Sequence, residues 1–318
     1  MSSRSKTIVL VTGATGYIGG SVLSRLLNLP DAQSKYEFRA VVRDVEKAKK
    51  LADEFGVKPI IGSHSDEELI SREAAEADII VAMSGTGVLT DKALGEYTSD
   101  VIWDDENVAQ IESLAPDAPQ RPVELKVVSA DEEGYAYTYI VCLSVIYDGA
   151  SNPLVDAGIA NSRTIAFKMF VPISIKRGYG TTIGKGENVW ANVHIDEVTD
   201  FYVLLFKNVL KDSNDVPHGK EGYFFIGADE HKSKQWYSEV AKVLFDLGKV
   251  KSPEPTLFTE QEAKQYFGEQ GTYLLDVFGG NARSVSNRAR KLGWQPRRTT
   301  NDFIGSIRAE VEFWADSL

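Results

Sequence analysis

The opening residues constrain this chain more than any other stretch. Ile8-Val9-Leu10-Val11 is a short, mostly β-branched apolar run, the pattern of a strand buried on both faces. Glycines follow at 13, 16 and 19, and then Ile18, Val22, Leu23, Leu26 and Leu27 fall on one face of a helix that ends near Leu29-Pro30. A strand, a glycine turn and a helix make a phosphate cradle. Gly13 permits the tight turn, Gly16 lets the backbone approach a pyrophosphate, and Gly19 allows close helix–strand packing. The helix start adds unpaired N–H groups and the positive end of its dipole. Thr12, Gly13, Ala14, Thr15, Gly16, Tyr17, Ile18 and Gly19 are therefore the candidate cofactor loop.

The Gly-x-x-Gly-x-x-Gly spacing resembles the short-chain dehydrogenase/reductase superfamily, in its extended, epimerase/dehydratase-like branch. Two further stretches are similar to that branch: Asn192-Val193-His194-Ile195-Asp196, and the run from Arg288 to the Gly293-Trp294-Gln295-Pro296 ending. The resemblance implies an α/β fold, a Rossmann-type doubly wound parallel sheet with a smaller C-terminal α/β substrate lobe. Residues 1–149 would form the NAD(P)-binding domain. Residues 150–318 would form the substrate lobe and C-terminal helices, partly interleaved with it.

Bulk properties exclude several alternatives. A 318-residue chain with 43% hydrophobic and 25% charged residues reads as an ordinary globule. No apolar run is long enough to span a bilayer, which argues against a membrane partner. A single cysteine, Cys142, forbids an internal disulfide framework and fits the cytoplasm. The four histidines show no ligand spacing, so no metal is expected. A net charge of −11 argues against nucleic acid. The local cluster of Arg283, Arg288, Arg290, Lys291, Arg297 and Arg298 reads as a solvated face near the C-terminus.

The second strand, Phe38 to Val42, is closed by Arg43-Asp44, and its end should approach the adenosine ribose. Arg43 offers a fork for a 2′-phosphate, favouring NADP(H) over NAD(H), while Asp44 reads as the cap of the next helix, Val45 to Phe55. Val57 to Ile61 is a third strand. Ser65-Asp66-Glu67-Glu68 then reads as a capping box. In the resembled family an aspartate follows the glycine ending that strand, whereas here Gly62 precedes Ser63-His64.

The fourth strand is anomalous. Asp78 to Met83 runs straight into Ser84-Gly85-Thr86-Gly87, where the resemblance implies an intervening helix and a further strand. One helix–strand unit of roughly 30 residues or more is missing near 81–84, through a real deletion or an error in gene structure. The fused strand is expected to lie beside the first one, and the oligomeric state is left open.

Downstream, Tyr137 to Val145 reads as a buried strand followed by Ile146-Tyr147-Asp148. A helix spans Ser162 to Arg177 with a kink or break at Pro172, and glycines at 178, 180, 184 and 186 mark a mobile loop. Val189 to Asp196 is a strand ending in a helix cap for Glu197 to Leu210. A Thr259-x-x-Glu262 box opens a helix that stops at Gly268.

The family chemistry needs a Tyr-x-x-x-Lys pair, yet none of the thirteen tyrosines has lysine four residues on. The matching helix begins near Gln120-Arg121-Pro122, which puts Gln120 and Glu124 where tyrosine and lysine would stand. The remaining catalytic candidates are Ser84, Thr86 and Tyr147, all at strand ends where such sheets bind ligands. Trp190, Asn192 and His194 are candidate substrate contacts. Three readings follow: an NADP-preferring oxidoreductase or epimerase/dehydratase-like enzyme acting on a small carbonyl or sugar-derived substrate, a cofactor-binding sensor without turnover, and a relic that binds nothing.

Overall fold

The computed structural model describes residues 6–75, 77–212 and 215–317. The chain begins with β1 (Thr7–Val11), α1 (Tyr17–Leu27), α2 (Ala32–Lys35), β2 (Tyr36–Val42), α3 (Val45–Phe55), β3 (Lys58–Ile61) and α4 (Glu67–Ala74). Next come β4 (Ile79–Gly85), β5 (Trp103–Asp104), α5 (Val108–Glu112), α6 (Arg121–Glu132), β6 (Tyr137–Leu143) and β7 (Val145–Tyr147). Then follow α7 (Pro153–Asp156), α8 (Ile165–Arg177), β8 (Thr181–Thr182), β9 (Val189–His194), α9 (Ile195–Lys211), β10 (Tyr223–Ile226) and β11 (Asp229–Lys232). The last elements are α10 (Ser233–Asp246), β12 (Thr256–Leu257), α11 (Glu260–Phe267), α12 (Gln270–Gly279), β13 (Ser284–Val285), α13 (Asn287–Leu292) and α14 (Thr300–Asp316).

Two compact units result, and neither is continuous in sequence. The first comprises Met1–Asp78, Gly149–Arg163 and Ile195–Leu210; the second comprises Ile79–Asp148, Thr164–His194 and Lys211–Leu318.

In the first unit β1, β2 and β3 form a parallel sheet, with Val9 opposite Phe38 and Val42 opposite Ile61. Leu23 and Leu26 of α1, Phe38, Ala40 and Val42 of β2, and Leu51 of α3 are buried in one apolar cluster. The amphipathic spacing of α1 and α3 puts those leucines on the sheet-facing side. Asp44 caps α3, accepting from the Glu46 and Lys47 N–H groups at 2.9 and 3.1 Å. α4 differs from expectation by one position. Asp66 is its cap and accepts from Leu69 N–H at 3.0 Å, so the Asp66 carboxylate takes the role assigned to Ser65.

In the second unit β4, β6 and β10 form a parallel sheet. All seven residues of β4 find register partners in β6, from Ile79 opposite Tyr137 to Gly85 opposite Leu143. The expected pairing of this fused strand with β1 does not form among the described residues: β4 pairs only with β6, and β1 only with β2. The strand beginning at Tyr137 also stops sooner than its apolar run suggests. Ser144 donates both its N–H and its hydroxyl to the Ile226 carbonyl, at 3.1 and 2.7 Å, and the chain then changes sheets. β7 joins β9 in parallel, and β9 pairs antiparallel with β11.

α8 runs unbroken through Pro172. Phe167, Phe170, Val171 and Ile173 on either side are buried in the large apolar cluster, and that packing offsets the lost backbone bond. The glycine-rich stretch is tied down rather than loose, because β8 pairs with β12 and Glu187 holds Lys232 and Lys234, each at 2.6 Å. Asp196 lies inside the first turn of α9, which already starts at Ile195.

Candidate dinucleotide site and the strand-end residues

The cradle is built as its spacing requires. Gly13 takes φ +69°, in the region that side chains avoid, and its carbonyl accepts the Gly16 N–H at 2.8 Å. A Cβ on Gly19 would lie 2.8 Å from the Gly13 carbonyl carbon and 3.4 Å from the Thr12 oxygen, so only glycine lets α1 approach the turn this closely. Nothing lies within 4 Å of where a Cβ on Gly13 would point. Gly16 caps α1 without any side-chain hydrogen bond. The helix therefore presents backbone N–H groups, not a carboxylate or hydroxyl, at its positive end. Thr12 and Gly13 are exposed, Ala14 is buried, and Thr15 to Gly19 are half-buried. An open turn, a bare helix start and a glycine that a methyl group would displace fit a dinucleotide pyrophosphate. Thr12 to Gly19 would hold it, and the nicotinamide would supply hydride chemistry when bound.

Arg43, immediately after β2, is exposed. Its neighbour Asp44 caps α3, as the sequence reading expected. Beyond β3, the Ser63 hydroxyl accepts from Ser65 N–H at 3.2 Å, and His64 is exposed.

The second unit places the hydroxyl candidates among internal partners. Ser84, at the end of β4, donates to Glu124 Oε1 at 2.6 Å. Thr86 is fully buried, with its hydroxyl 3.4 Å from the Leu143 carbonyl. Tyr147 is 1% exposed and donates to the Thr299 carbonyl at 3.2 Å, with its ring edge-on to His194.

Glu124 itself lies on the face of α6 turned toward the sheet and is 2% exposed. It pairs with Arg121 at 3.3 Å, Arg121 reaches the Tyr223 hydroxyl at 2.6 Å, and Tyr223 lies 3.4 Å from Glu124 Oε2. Cys142 completes the group, 3.8 Å from Glu124. Burial, together with the Glu124 charge, pushes the Cys142 thiol and the Tyr223 hydroxyl well above their usual values. Both are held protonated. Gln120 stands at the start of α6 with φ +62° and is exposed.

The three substrate-contact candidates are all buried at the ladder of β9. Trp190 donates its indole N–H to the Gly280 carbonyl at 2.8 Å. Asn192 donates to Thr300 Oγ1 at 2.9 Å and to His231 Nδ1 at 3.2 Å. His194 lies between Arg298, 2.8 Å from its Nδ1, and Asp148, 3.0 Å from its Nε2. A guanidinium can only donate, so Nδ1 accepts and Nε2–H donates to Asp148. The same logic makes His231 Nδ1 an acceptor for Asn192. Burial lowers the His231 pKa to about 3, and its Nε2 and Asn192 Oδ1 have no partner among the described residues.

Sequence reading missed Asp148, Arg298, His231 and Thr300 as members of these clusters, and also Asp105. That aspartate is fully buried; it accepts from Arg288 N–H at 2.9 Å and Phe225 N–H at 3.2 Å, and burial pushes it up to about 7. The one available signal was the acid-rich run Asp104-Asp105-Glu106, which faces the basic cluster. Arg288 binds the Asp105 carbonyl, Lys291 pairs with Glu106 at 2.6 Å, and Arg283 pairs with Glu230 at 2.9 Å. Arg290, Lys291 and Arg297 are exposed as expected, whereas Arg283, Arg288 and Arg298 are half-buried and tied to internal partners.

Comparison with known proteins agrees with the fingerprint. Residues 5–102 match the NmrA-like family. The chain is similar to oxidase ucsJ of an Acremonium species, 26% identical over 339 aligned positions covering 91% of this chain and 92% of that protein. An uncharacterized protein of Saccharomyces cerevisiae is 26% identical over 318 positions, covering 91% of this chain and 95% of its own. Among solved structures, UDP-glucose 4-epimerase from Thermotoga maritima, crystallised with UDP-glucose, superposes with a TM-score of 0.59 at 17% identity, covering 98% of this chain and 99% of that one. The dTDP-glucose 4,6-dehydratase of Bacillus anthracis, crystallised with NAD, gives 0.58 at 14% identity, covering 98% and 97%. The chain has the Rossmann-like α/β fold of these epimerase and dehydratase structures. No helix among the described residues is long and apolar enough to cross a membrane.

Proposed function

We propose that this protein is an oxidoreductase or epimerase/dehydratase-like enzyme that binds NADP(H) in preference to NAD(H) and acts on a small carbonyl or sugar-derived compound. The carrying observation is the cradle: a turn at φ +69°, a helix start with no side-chain cap, and a Gly19 that tolerates no Cβ. The exposed Arg43 at the β2 end supports the 2′-phosphate, since Asp44 is already engaged. Ser84, Thr86 and Tyr147 are the proposed catalytic hydroxyls, with Trp190, Asn192 and His194 toward the substrate.

One observation favours a second reading, a cofactor-binding regulator without turnover. At the position assigned to the family lysine stands Glu124, sealed with Arg121, Tyr223 and Ser84. A buried carboxylate there supplies no cation to activate a tyrosine. Titrating NADPH by its fluorescence tests binding. A panel of aldehydes, ketones, alcohols and nucleotide sugars, followed by nicotinamide absorbance, then separates the readings. Turnover supports the enzyme; tight binding with no turnover on any compound supports the regulator; no binding refutes both.

A further inference from the structure

We propose, resting on the NADP(H) reading of the cradle, that residues 149–163 form a second part of the dinucleotide site. They make a loop whose closed form alone binds the cofactor, with Asn161 as its positioning residue. This stretch belongs to the same unit as the cradle, although it follows β7 in sequence. Its two ends meet, as in an Ω-loop. Ala150 N–H donates to the Ser162 carbonyl at 2.8 Å, and Arg163 Nη1 stands 3.0 Å from where a Cβ on Gly149 would lie. Leu154 and Ile159 are fully buried in the apolar cluster that holds Leu23 and Leu51, so core side chains dock the loop. Polar ties add to them. Asn152, the cap of α7, reaches Ser21 Oγ of α1 at 3.4 Å, and Lys50 of α3 donates to the Ala157 carbonyl at 2.8 Å.

Two contacts bear on the phosphate turn itself. Asn161 N–H donates to the Thr15 carbonyl at 3.1 Å, while the N–H of the same peptide, on Gly16, goes to the Gly13 carbonyl. The plane of the Thr15–Gly16 peptide is thus fixed from both sides, just before the uncapped start of α1. The second contact is at Gly20, a glycine outside the Gly-x-x-Gly-x-x-Gly spacing. Glycine is a poor helix former, yet Gly20 follows Gly19 inside α1 and is buried. A Cβ there would collide with the Ala160 Cβ. Gly19 makes room for the turn, and Gly20 makes room for the loop. Helix-start amides can hold a pyrophosphate only in this arrangement, so an open loop leaves a weaker site and a bound cofactor holds the loop shut.

The test uses the full chain, with NADPH and NADH as probes. Gly20→Ala should weaken NADPH binding by at least ~5-fold, and adding Ala160→Gly should restore it to within ~2-fold. In that double variant the nearest loop atom to the new Cβ is the Ala160 position's Cα at 3.7 Å, an ordinary contact. Asn161→Pro, which removes the N–H donated to Thr15, should weaken binding by a similar ~5-fold or more. Hydrogen-exchange mass spectrometry of the unaltered chain supplies a readout that needs no variant to fold. With NADPH at about 100 times its Kd, amides of residues 159–162 should slow by at least ~10-fold, together with those of 13–20 and more than those of α10. Variants that melt earlier but bind NADPH unchanged would reduce the loop to packing and overturn the proposal. So would a Gly20→Ala loss that Ala160→Gly fails to relieve, or a loop whose exchange NADPH does not slow selectively. An unaltered chain that binds neither nucleotide would instead remove the cradle reading itself, and this inference with it.

Discussion

Replacing Gly19 with alanine puts a methyl group where the structure has backbone. The new Cβ would lie 2.8 Å from the Gly13 carbonyl carbon, whereas carbon atoms rest about 3.5–4.0 Å apart. Neither atom belongs to a flexible side chain, so the turn or the helix must shift by on the order of 1 Å. Overpacking of this kind costs about 1–3 kcal/mol. The displaced group is the carbonyl that accepts the Gly16 N–H at 2.8 Å, so the strain falls on the proposed phosphate-binding amides. If most of it appears in binding, NADPH affinity falls ~5- to 150-fold, at about 1.4 kcal/mol per decade. Fluorescence titration reads this directly, and thermal melting followed by circular dichroism shows how much strain is lost to folding instead. Gly305→Ala is the control, since nothing lies within 4 Å of its Cβ position inside α14. There the same substitution should leave binding alone and raise stability slightly. A Gly19→Ala protein that binds NADPH as tightly as the unaltered chain, with an unchanged melt, would refute the cradle.

Glu124→Leu removes the acceptor for Ser84 and strands Arg121 in the interior. Breaking such a buried pair should cost about 3–5 kcal/mol, read as a lower urea midpoint; an unmoved midpoint contradicts the structural role. Arg43→Glu should reduce the preference for NADPH over NADH by roughly 10- to 100-fold, the worth of a charge-assisted hydrogen bond, and an unchanged ratio removes Arg43 from the ribose site. Two buried groups give opposite pH slopes. Asp105, raised to about 7, remains protonated in the fold while the unfolded chain has released its proton, so stability falls as pH rises from about 4 to 7, by at most about 1.4 kcal/mol per unit. His231, lowered to about 3, takes up its proton only on unfolding, so stability falls as pH drops below about 6.5. The slopes oppose one another between those limits. Urea denaturation of Asp105→Asn and His231→Gln from pH 5 to 8 separates them: the first variant should lose the decline toward pH 7 and the second the decline toward pH 5. Profiles parallel to the unaltered chain's would show that neither group titrates in this way.

Local order determined much of this protein before any tertiary contact. The glycines at 13, 16 and 19, the Asp44 cap and the Thr259 capping box act within one turn of backbone, and each stands where its spacing put it. α12 was not foreseen, because Gly268 read as a stop, although α12 packs against α11. The direct run of β4 into a Ser-Gly-Thr-Gly end was also legible, since it is a feature of the chain itself. Which partner that strand takes was not. Pairing joins segments distant in sequence, and β6 takes one edge of β4 along all seven positions. The same holds for the charges. Asp105 meets the Phe225 N–H across 120 residues, and His194 meets Arg298 across 104, distances over which no periodicity carries information. Sequence set the elements and the phosphate turn through short-range sterics and hydrogen bonding; only long-range packing decided which strands pair and which polar groups are sealed inside.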